Sequence, residues 1–444
     1  MKDKTYPLKA GAGRCEIAWE PEILPRSKRE TYTRILDRPC IRIIVLDSEE
    51  RFLIVAAELA NMDRKVQKDI ICMLEEKASV KEDHIFFHLN HVHSTPHGWG
   101  PFDMEDLDEK EKAKMAPFYN ALYRAAEEAL IKALNTLRPA RVGTGKGICG
   151  SAIVNRNVQT DQGWWLGSNE AGEKDDTVGI IRLDDMHGDT IAILFVYYVV
   201  PSVLDYSTRD FEPGLERVLS ADLAGYSSAF VEAEYPGAVA AYLTGAAGDV
   251  WPSYCAMYQL VGRGGKLRTV DLGDAGGLLA KLQGERLGQQ VVAAAEEIVC
   301  GDLEAPVSLR FDTFSYDGRN ENSEVHEMRP ARKCEFVSCG ETREMEIPFL
   351  FIGNEIVLAG LHCQTGIHTI REIQKQSPYA LTGILSFTSI GGKDKYGPKG
   401  IRKYAPERDA YEKVQYMAQN SVVMPGAAEE LCQRMVSFLQ QQKV

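Results

Sequence analysis

The sequence predicts an α/β fold, with mixed or parallel sheets flanked by helices, and two observations carry that prediction. A succession of strand, loop, helix, strand and loop recurs three times along the chain. The composition, with 44% apolar and 26% charged residues in 444, is ordinary for a globular protein that buries a large core. Alternating strands and helices are typical of α/β proteins, in which binding groups collect at strand ends and in the loops beyond them.

The three repeated units share one order of elements, and each ends in a loop that contains glycine, proline and polar side chains. In the first unit we predict strands at 51–59 and 84–89, a helix at 66–77 and a terminal loop at 90–100. In the second unit we predict strands at 191–200 and 238–243, a helix at 224–235 and a terminal loop at 244–252. In the third unit we predict strands at 356–361 and 381–388, a helix at 366–376 and a terminal loop at 389–398. If the units pack side by side, we expect their terminal loops to converge on one cleft.

The net charge and the cysteines indicate which partners the protein binds and in which cellular compartment it lies. The 51 Lys and Arg residues against 64 Asp and Glu give a formal charge of −13, which repels nucleic-acid phosphates and anionic lipid. No stretch reaches the roughly 18 apolar residues that a membrane-spanning helix needs. The ten cysteines form no C-x-x-C pair. We therefore predict a cytoplasmic protein with reduced thiols that binds a small-molecule substrate, and neither nucleic acid nor membrane.

Histidines are concentrated in one segment, since five of the nine lie between positions 84 and 97. In an extended chain residues i and i+2 point to the same face, so His91 and His93 can reach one point just past the end of a strand. Imidazoles presented in this way are common zinc ligands, and the second can instead orient or protonate a substrate. His84 and His88 lie inside the apolar strand, where we expect a structural role.

Two further segments carry candidate polar groups. The loop 244–252 places Asp249 between small residues and a rigid turn, as a ligand, a partner of a histidine or a turn-capping acid. Asn155 and Arg156 are candidates to clamp a polar substrate. The glycine run at 143–147 lacks the phosphate-loop register, and neither G-x-S-x-G nor H-E-x-x-H occurs. The sequence thus argues against a nucleotide-binding loop and against the common serine hydrolase and zincin sites.

Several motifs, taken in order, resemble the catalytic domain of the neutral/alkaline (non-lysosomal) ceramidase family. N-H-V-H-S-T-P at 90–96 is similar to the family's T-H-T-H-S-G-P, and G-D-V-W-P at 248–252 is similar to its G-D-x-S-P loop. Shorter similarities lie at 10–12, 154–157, 220–225, 395–398, 411–412 and 425–430. The resemblance spans nearly the whole chain, so we predict one catalytic-type domain over residues 1–444, without the C-terminal immunoglobulin-like domain that ceramidases add.

The resemblance also implies a zinc site, which this sequence carries only in part. Two of the family's four ligands correspond to His91 and Tyr396. Val200 and Leu361 stand where the family has a histidine and a glutamate, and neither side chain binds a metal. The neighbouring His362 is the candidate replacement. Zinc is therefore a candidate cofactor with an altered set of ligands, His91, His362 and Tyr396.

Other positions indicate the class of substrate. Trp251 replaces the serine of the family's G-D-x-S-P loop, and its large indole favours stacking on a sugar ring over admission of a lipid amide. Asn155, His97 and Tyr411 complete the set of predicted substrate-binding residues. We predict a hydrolase that acts on a small polar, carbohydrate-like substrate rather than on ceramide.

Two versions of the catalytic site follow from the sequence. In the zinc version, His91, His93 and His362 hold the metal, whose bound water attacks a carbonyl. In the metal-free version, His93 and Asp249 form an acid/base pair and Arg156 fixes the substrate. The alternative to both is a catalytically inactive protein that retains the cleft and binds a ligand.

Overall fold

A computed structural model of the protein describes residues 8–24, 31–96, 108–205, 216–301, 306–320, 330–390 and 404–443. The strands are β1 (Lys9–Glu16), β2 (Thr31–Ile35), β3 (Cys40–Asp47), β4 (Arg51–Ala57), β5 (Ile85–Leu89), β6 (Arg138–Ile148), β7 (Val154–Thr160), β8 (Gly163–Asn169), β9 (Thr177–Asp185), β10 (Thr190–Tyr197), β11 (Glu216–Leu219), β12 (Val239–Thr244), β13 (Val250–Trp251), β14 (Met257–Val261), β15 (Leu267–Asp271), β16 (Val307–Arg319), β17 (Ser338–Ile352), β18 (Ile356–Gly360), β19 (Leu381–Leu385) and β20 (Thr388–Ile390). The helices are α1 (Arg64–Ala78), α2 (Glu109–Asn135), α3 (Asp222–Glu234), α4 (Gly276–Glu296), α5 (Ile367–Gln376), α6 (Arg408–Glu412), α7 (Tyr416–Gln419) and α8 (Ala427–Gln442).

The three predicted units are present, and each consists of a strand, a helix and a second strand parallel to the first. The pairs are β4 with β5, β10 with β12 and β18 with β19, and the helices between them are α1, α3 and α5. The α/β prediction is therefore confirmed. In the third unit, the strand predicted at 381–388 is divided between β19 and β20. Phe387 adopts a φ of 49° in that gap, which turns the chain and separates the two strands.

Nine strands form one hydrogen-bonded sheet that is folded over on itself. Its order is β12-β10-β9-β6-β1-β3-β4-β5-β20, and a short ladder between β1 and β6 joins its two halves. Thr244, at the end of edge strand β12, donates its N–H to His88 of β5, near the opposite end of that order. The two halves must therefore face each other, and the apolar side chains between them form the main core.

Helices cover both outer faces of the folded sheet. The apolar faces of α1 and α2 pack on the half that contains β3, β4 and β5, where they form a second core. Helices α3 and α4 pack on the other half. Gly143 and Gly145 in β6 allow the end of α4 to approach, because a Cβ at either position would overlap Ile298. The glycine run at 143–147 thus serves helix packing.

A second sheet, of order β16-β17-β18-β19, carries the third unit. Helix α5 packs on β19, helix α8 packs on β16, and the two helices contact each other. Leu381 of β19 fills the space beside Gly179 of β9, where a Cβ would overlap it, so the second sheet lies against the folded one. Within the described ranges, no helix is long and apolar enough to cross a membrane.

Candidate functional site

The carboxyl ends of β5, β12 and β19 meet at one place. Thr244 Oγ1, at the end of β12, donates to the Asn90 carbonyl just after β5 at 2.6 Å. The Ser386 N–H just after β19 donates to the Thr244 carbonyl at 3.1 Å, and the Ala246 N–H donates to the Ile384 carbonyl at 2.9 Å. The carboxyl ends of the three second strands therefore converge, as expected from their repeated order. Residues 97–100 and 391–398 of the predicted terminal loops lie outside the described residues.

His88 holds this junction together from inside. Its Nδ1 donates to Thr388 Oγ1 at 2.9 Å, and its Nε2 accepts the Thr244 N–H at 3.0 Å. Both ring nitrogens are thus bonded while the imidazole is neutral, and burial lowers the pKa of His88 to about 3. His84 stacks on Phe52, with the ring centroids 4.3 Å apart. Both histidines have the structural roles that their apolar surroundings in the sequence predicted.

His93 forms an imidazole–carboxylate pair at the edge of the junction. Its Nδ1 donates to Asp205 Oδ2 at 2.7 Å, and its backbone N–H donates to the Pro201 carbonyl at 3.0 Å. A carboxylate only accepts hydrogen bonds, so the proton is fixed on Nδ1 and the Nε2 lone pair is the basic site. The side chains of His93 and Asp205 are 24% and 18% exposed, which leaves the pair within reach of solvent.

His91 packs against its aromatic neighbours. Its ring centroid lies 4.5 Å from that of His93 and 3.8 Å from that of Phe387. The backbone at His91 has a φ of 55°, a left-handed conformation that costs roughly 1–2 kcal/mol for a residue with a Cβ. The chain is therefore not extended at this position, yet the turn still brings the two imidazoles together. We refer to His91, His93 and Asp205 as the imidazole side.

Asp222 fixes the two loops that supply the imidazole side. Its carboxylate accepts two backbone N–H groups, those of Val203 and Leu204, at 3.2 and 2.9 Å. It also accepts the hydroxyl of Ser94, the residue after the paired imidazole, at 3.4 Å. Burial raises the pKa of Asp222 to about 6, although the N–H groups favour its ionised form. Asp222 is thus a positioning residue that ties the loop after β5 to the loop after β10.

Asp249 lies at the N-terminus of α5 and not beside His93. Its Oδ1 accepts the N–H of Ile367, the first residue of the helix, at 2.8 Å. The carboxylate that bonds His93 is Asp205, which corrects the predicted pair of His93 and Asp249. The physical reason is a backbone bridge between the loop after β12 and Thr365, which directs that loop towards α5.

Glu407, the residue before α6, is a second carboxylate that accepts hydrogen bonds from the first turn of α5. It accepts the Thr369 N–H at 3.1 Å and the Thr369 hydroxyl at 2.6 Å. It also covers Gly366, the residue before α5, so closely that a Cβ there would overlap its carboxylate. Burial and then Glu407 raise the pKa of Asp249 to about 7, against the helix N–H bond and Arg156, which lower it.

Arg156 lies beside these carboxyl groups because β7 pairs with β13, and the Arg156 N–H donates to the Asp249 carbonyl at 2.8 Å. Its guanidinium carbon lies 5.5 and 5.2 Å from the ring centroids of Tyr404 and Tyr416. Its Nη2 donates to the Tyr404 hydroxyl at 3.2 Å. We refer to Arg156, Asp249 and Glu407 as the carboxyl side.

The predicted substrate-binding residues have different surroundings. Asn155 is buried, donates from its amide to a backbone carbonyl at 2.8 Å and accepts a backbone N–H at 2.9 Å. Tyr411 is buried, and its hydroxyl donates to a backbone carbonyl at 2.8 Å. Both polar groups therefore help to hold the fold, and their predicted contact with substrate stays a prediction. Trp251 in β13 is partly exposed, which leaves its indole within reach of a ligand.

The described residues do not fit a zinc site. No group of three or more His, Cys, Asp or Glu side chains among them converges closely enough to hold an ion. His362 follows β18, and burial lowers its pKa to about 4. His97 and Tyr396 lie outside the described residues. The ligand set of His91, His362 and Tyr396 stays a prediction.

Five of the fifteen buried polar side-chain atoms that have no hydrogen-bond partner among the described residues lie near the junction. They are Asn90 Oδ1, Asp205 Oδ1, Arg156 Nε, Trp251 Nε1 and Thr365 Oγ1. Buried polar groups are normally paired, so a polar ligand or water is a candidate partner for these five atoms. The two oxygen acceptors of the amide and carboxylate lie near the imidazole side, and the two N–H donors lie near the carboxyl side.

Groups of both sides influence the buried thiol of Cys255. Burial and then the carboxylates of Asp222 and Asp205 raise its pKa, and the guanidinium of Arg156 lowers it.

Three residues of the site were missed by the sequence analysis. Asp222 lies in the 220–225 motif, so the family resemblance did mark its position. Asp205 and Glu407 follow no local pattern, because their partners His93 and Thr369 are 112 and 38 residues away. Only the folded chain brings them together.

Comparisons with known proteins give the fold a precedent. No protein-family model matches the chain. The neutral ceramidase from Pseudomonas aeruginosa superposes with a TM-score of 0.68 at 16% identity, over 98% of this chain and 75% of that one. A ceramidase complexed with C2 gives a TM-score of 0.67 at 16% identity, over 98% and 76% of the two chains. The protein therefore has a ceramidase-like fold, as the sequence motifs implied.

Proposed function

We propose that the protein is a hydrolase that cleaves an acyl bond in a small polar substrate, such as a carbohydrate derivative, and not in ceramide. The observation that carries the proposal is the hydrogen bond between His93 Nδ1 and Asp205, in the loops that follow β5 and β10. The ceramidase-like fold of the two solved neighbours supports hydrolysis as the reaction class.

The His93–Asp205 pair supplies the base for this reaction. Asp205 holds the imidazole with its proton on Nδ1, so Nε2 takes a proton from water. The oxygen of that water attacks the substrate carbonyl carbon, and the carboxylate stabilises the imidazolium that forms. His93 therefore has the role of general base, and Asp205 orients it.

The polar surroundings support a polar substrate. The Arg156 Nε and Trp251 Nε1 donors have no partner among the described residues and require acceptors, which hydroxyl and carbonyl oxygens provide. Trp251 also occupies the motif position at which the ceramidase family has serine. A lipid chain would leave these donors unsatisfied at a cost of about 1–3 kcal/mol each, whereas a hydroxyl-rich ligand satisfies them.

The steps above are written without a metal, and the zinc version of the site stays a prediction because Tyr396 lies outside the described residues. The zinc version of the site is distinguished from the imidazole version by elemental analysis. About one zinc per chain in protein purified without added metal would favour zinc, with Tyr396 and His97 as further candidate ligands.

The test is a comparison of variants on a panel of small esters, amides, lactones and acylated sugars. We expect His93→Ala to lower kcat/KM on any accepted substrate by about 10³-fold, because general base catalysis is worth 10² to 10⁴-fold. The matched control is His187→Ala, an exposed histidine in the turn between β9 and β10. Unchanged turnover in His93→Ala would overturn the proposal. Ligand binding with no turnover in the wild type would favour the inactive binding protein.

We also propose a cytoplasmic location, which the thiol chemistry supports. All ten cysteines are free thiols, and the reducing cytosol preserves such thiols. Cell fractionation with detection of the intact chain tests this, and recovery from an extracellular or periplasmic fraction would contradict it.

A further inference from the structure

We propose that the protein binds a short-chain carboxylate, of the size of acetate or propionate, in a cavity between its two sheets. The cavity has a volume of about 90 Å³ and is lined by β6, β9 and β10 of the folded sheet, by β19 of the second sheet and by α5. The residues that line it belong to neither the imidazole side nor the carboxyl side. The carboxylate site is therefore separate from the candidate active site, and it does not depend on the proposed hydrolase function.

One wall of the cavity is a single face of strands β6, β9 and β10. Lys146 pairs with Gly179, and Gly179 pairs with Val196, so these three residues form a row across the three strands. Directly opposed residues of antiparallel strands point to the same face of the sheet. Thr177 and Tyr198, each two positions along the chain from this row, line the same cavity. Because Gly179 has no side chain, the row contains a gap between Lys146 and Val196.

The opposite wall comes from β19, with Gln374 of α5 beside it. Leu381 of β19 lies against Gly179, since a Cβ at position 179 would lie 2.6 Å from Leu381 Cδ1. Gly383 lies against Val196 in the same way, with 3.0 Å between a Cβ at position 383 and Val196 Cγ2. The two sheets therefore contact each other closely at both glycines, and the cavity lies beside this contact.

The polar groups of the lining include donors for an anion. Among the described residues that line the cavity, Lys146 alone carries a charge, and it forms no ion pair with another described residue. Tyr198 is 2% exposed, and its hydroxyl accepts a hydrogen bond from Gln374 Nε2 at 2.7 Å. A hydroxyl that accepts in this way can still donate its own proton. An ammonium group and a buried phenolic O–H are therefore available to a bound oxyanion.

The charge, the apolar lining and the volume favour a short-chain carboxylate as that oxyanion. One ammonium balances the single charge of a carboxylate, whereas a phosphate group near neutral pH carries close to two. Val196 and Leu381 add apolar surface that can cover a methyl or ethyl group. A cavity of about 150 Å³ holds benzene, so one of about 90 Å³ accommodates a ligand with fewer atoms.

The cavity is next to the junction of the three strand ends. The ring of Tyr198 packs directly on Gly245, where a Cβ would overlap it. Gly245 follows Thr244, whose N–H is bonded to His88. A carboxylate bound to Tyr198 would therefore contact both sheets and support the loop after β12. Since it binds the native state, it should raise the melting temperature by mass action.

The first experiment is a titration of the full-length protein with acetate and with propionate, followed by methyl NMR spectra of Leu- and Val-labelled protein. We expect saturable shifts of the Val196 and Leu381 signals with a Kd in the millimolar range, because so small a ligand makes few contacts. The signals of Leu278, which is exposed near the start of α4, are the internal control. Acetamide, which has the shape of acetate without its charge, should produce no saturable shift.

Two results of this titration would overturn the proposal. One is the absence of saturable shifts at Val196 and Leu381 with either carboxylate. The other is saturable binding of inorganic phosphate by a protein that binds neither acetate nor propionate, which would indicate a site for a different anion.

The second experiment assigns the binding to the cavity by substitution. Lys146→Met keeps the length of the side chain and removes its charge, so we expect Kd to rise about tenfold or more. Tyr198→Phe removes the phenolic proton and should raise Kd several-fold. The matched control is Lys375→Met, an exposed lysine of α5, which should leave Kd unchanged. Circular dichroism of each variant establishes that it is folded.

The same titration distinguishes this site from the candidate active site. Acetate bound at Arg156 instead would keep its affinity in Lys146→Met, and that result would overturn the proposal. We expect His93→Ala to bind both carboxylates as the wild type does. A failure of the hydrolase proposal would therefore leave the carboxylate site standing, and loss of the carboxylate site would leave the requirement for His93 unchanged.

Discussion

The two sides of the site differ in how their charges are arranged. On the imidazole side one imidazole faces one carboxylate, and both side chains are partly exposed. On the carboxyl side Asp249 is influenced by one carboxylate and one guanidinium, and buried donors without a partner among the described residues lie nearby. The first arrangement orients a base in reach of water, whereas the second holds a proton and offers hydrogen bonds to a ligand. The difference indicates that proton abstraction and substrate recognition are divided between the sides.

The largest expected effect comes from the imidazole side. Asp205→Asn keeps the shape of the side chain but removes the charge that stabilises the imidazolium, so we expect kcat to fall by about 10²-fold or more. KM should change little, because the carboxyl side still binds the substrate. Steady-state kinetics measure both. Arg156→Lys changes the carboxyl side and should chiefly raise KM. An equal loss of kcat in both variants would contradict the division of proton abstraction and substrate recognition between the two sides.

A stability effect should follow from the residue that positions the imidazole side. Asp222→Asn replaces one acceptor oxygen by an N–H₂ group that cannot accept the Val203 or Leu204 N–H. Leaving a buried donor unpaired costs about 1–3 kcal/mol, and we expect that loss in the free energy of unfolding. Urea denaturation measures it. Asp189→Asn, at an exposed turn, is the control, and equal stability of the two variants would contradict the positioning role.

On the carboxyl side, Asp249 should affect how the free energy of unfolding depends on pH. The pKa of Asp249 rises from 3.8 to about 7 on folding, so the folded state holds the proton more tightly. This group therefore stabilises the protein fully below about pH 4, and its contribution is lost as pH rises towards 7. We expect Asp249→Asn to remove up to about 1.4 kcal/mol per pH unit from the slope in that range. Urea denaturation at several pH values measures the slope, and parallel curves would contradict the prediction.

The smallest expected effect is that of metal removal. If the imidazole side is the base, incubation with a chelator followed by dialysis should leave kcat/KM within twofold of its starting value, about the precision of such assays. Activity that is lost on chelation and restored by zinc would instead place a metal at His91 and favour the zinc version of the site.

The sequence predicted the elements whose signals are local. The three units appear at the predicted places because apolar strands and amphipathic helices have short periods. His91 and His93 were found because they lie two residues apart. Asn155 and Tyr411 were assigned to the substrate, but a sequence does not reveal that a buried amide or hydroxyl is bonded to backbone. The partner of His93 was misassigned to Asp249 because Asp205 lies 112 residues away.

The junction around His88 has a consequence for how the protein folds. His88 and Thr388 are 300 residues apart in sequence, and Thr244 and Asn90 are 154 apart. Contacts between residues so far apart in sequence close very long loops. The chain loses conformational entropy when such a loop closes, and this cost must be met before the contacts stabilise the fold. We therefore expect the three βαβ units to acquire structure early and the catalytic residues to be assembled last. Hydrogen exchange during refolding should show late protection for the amide of Thr244.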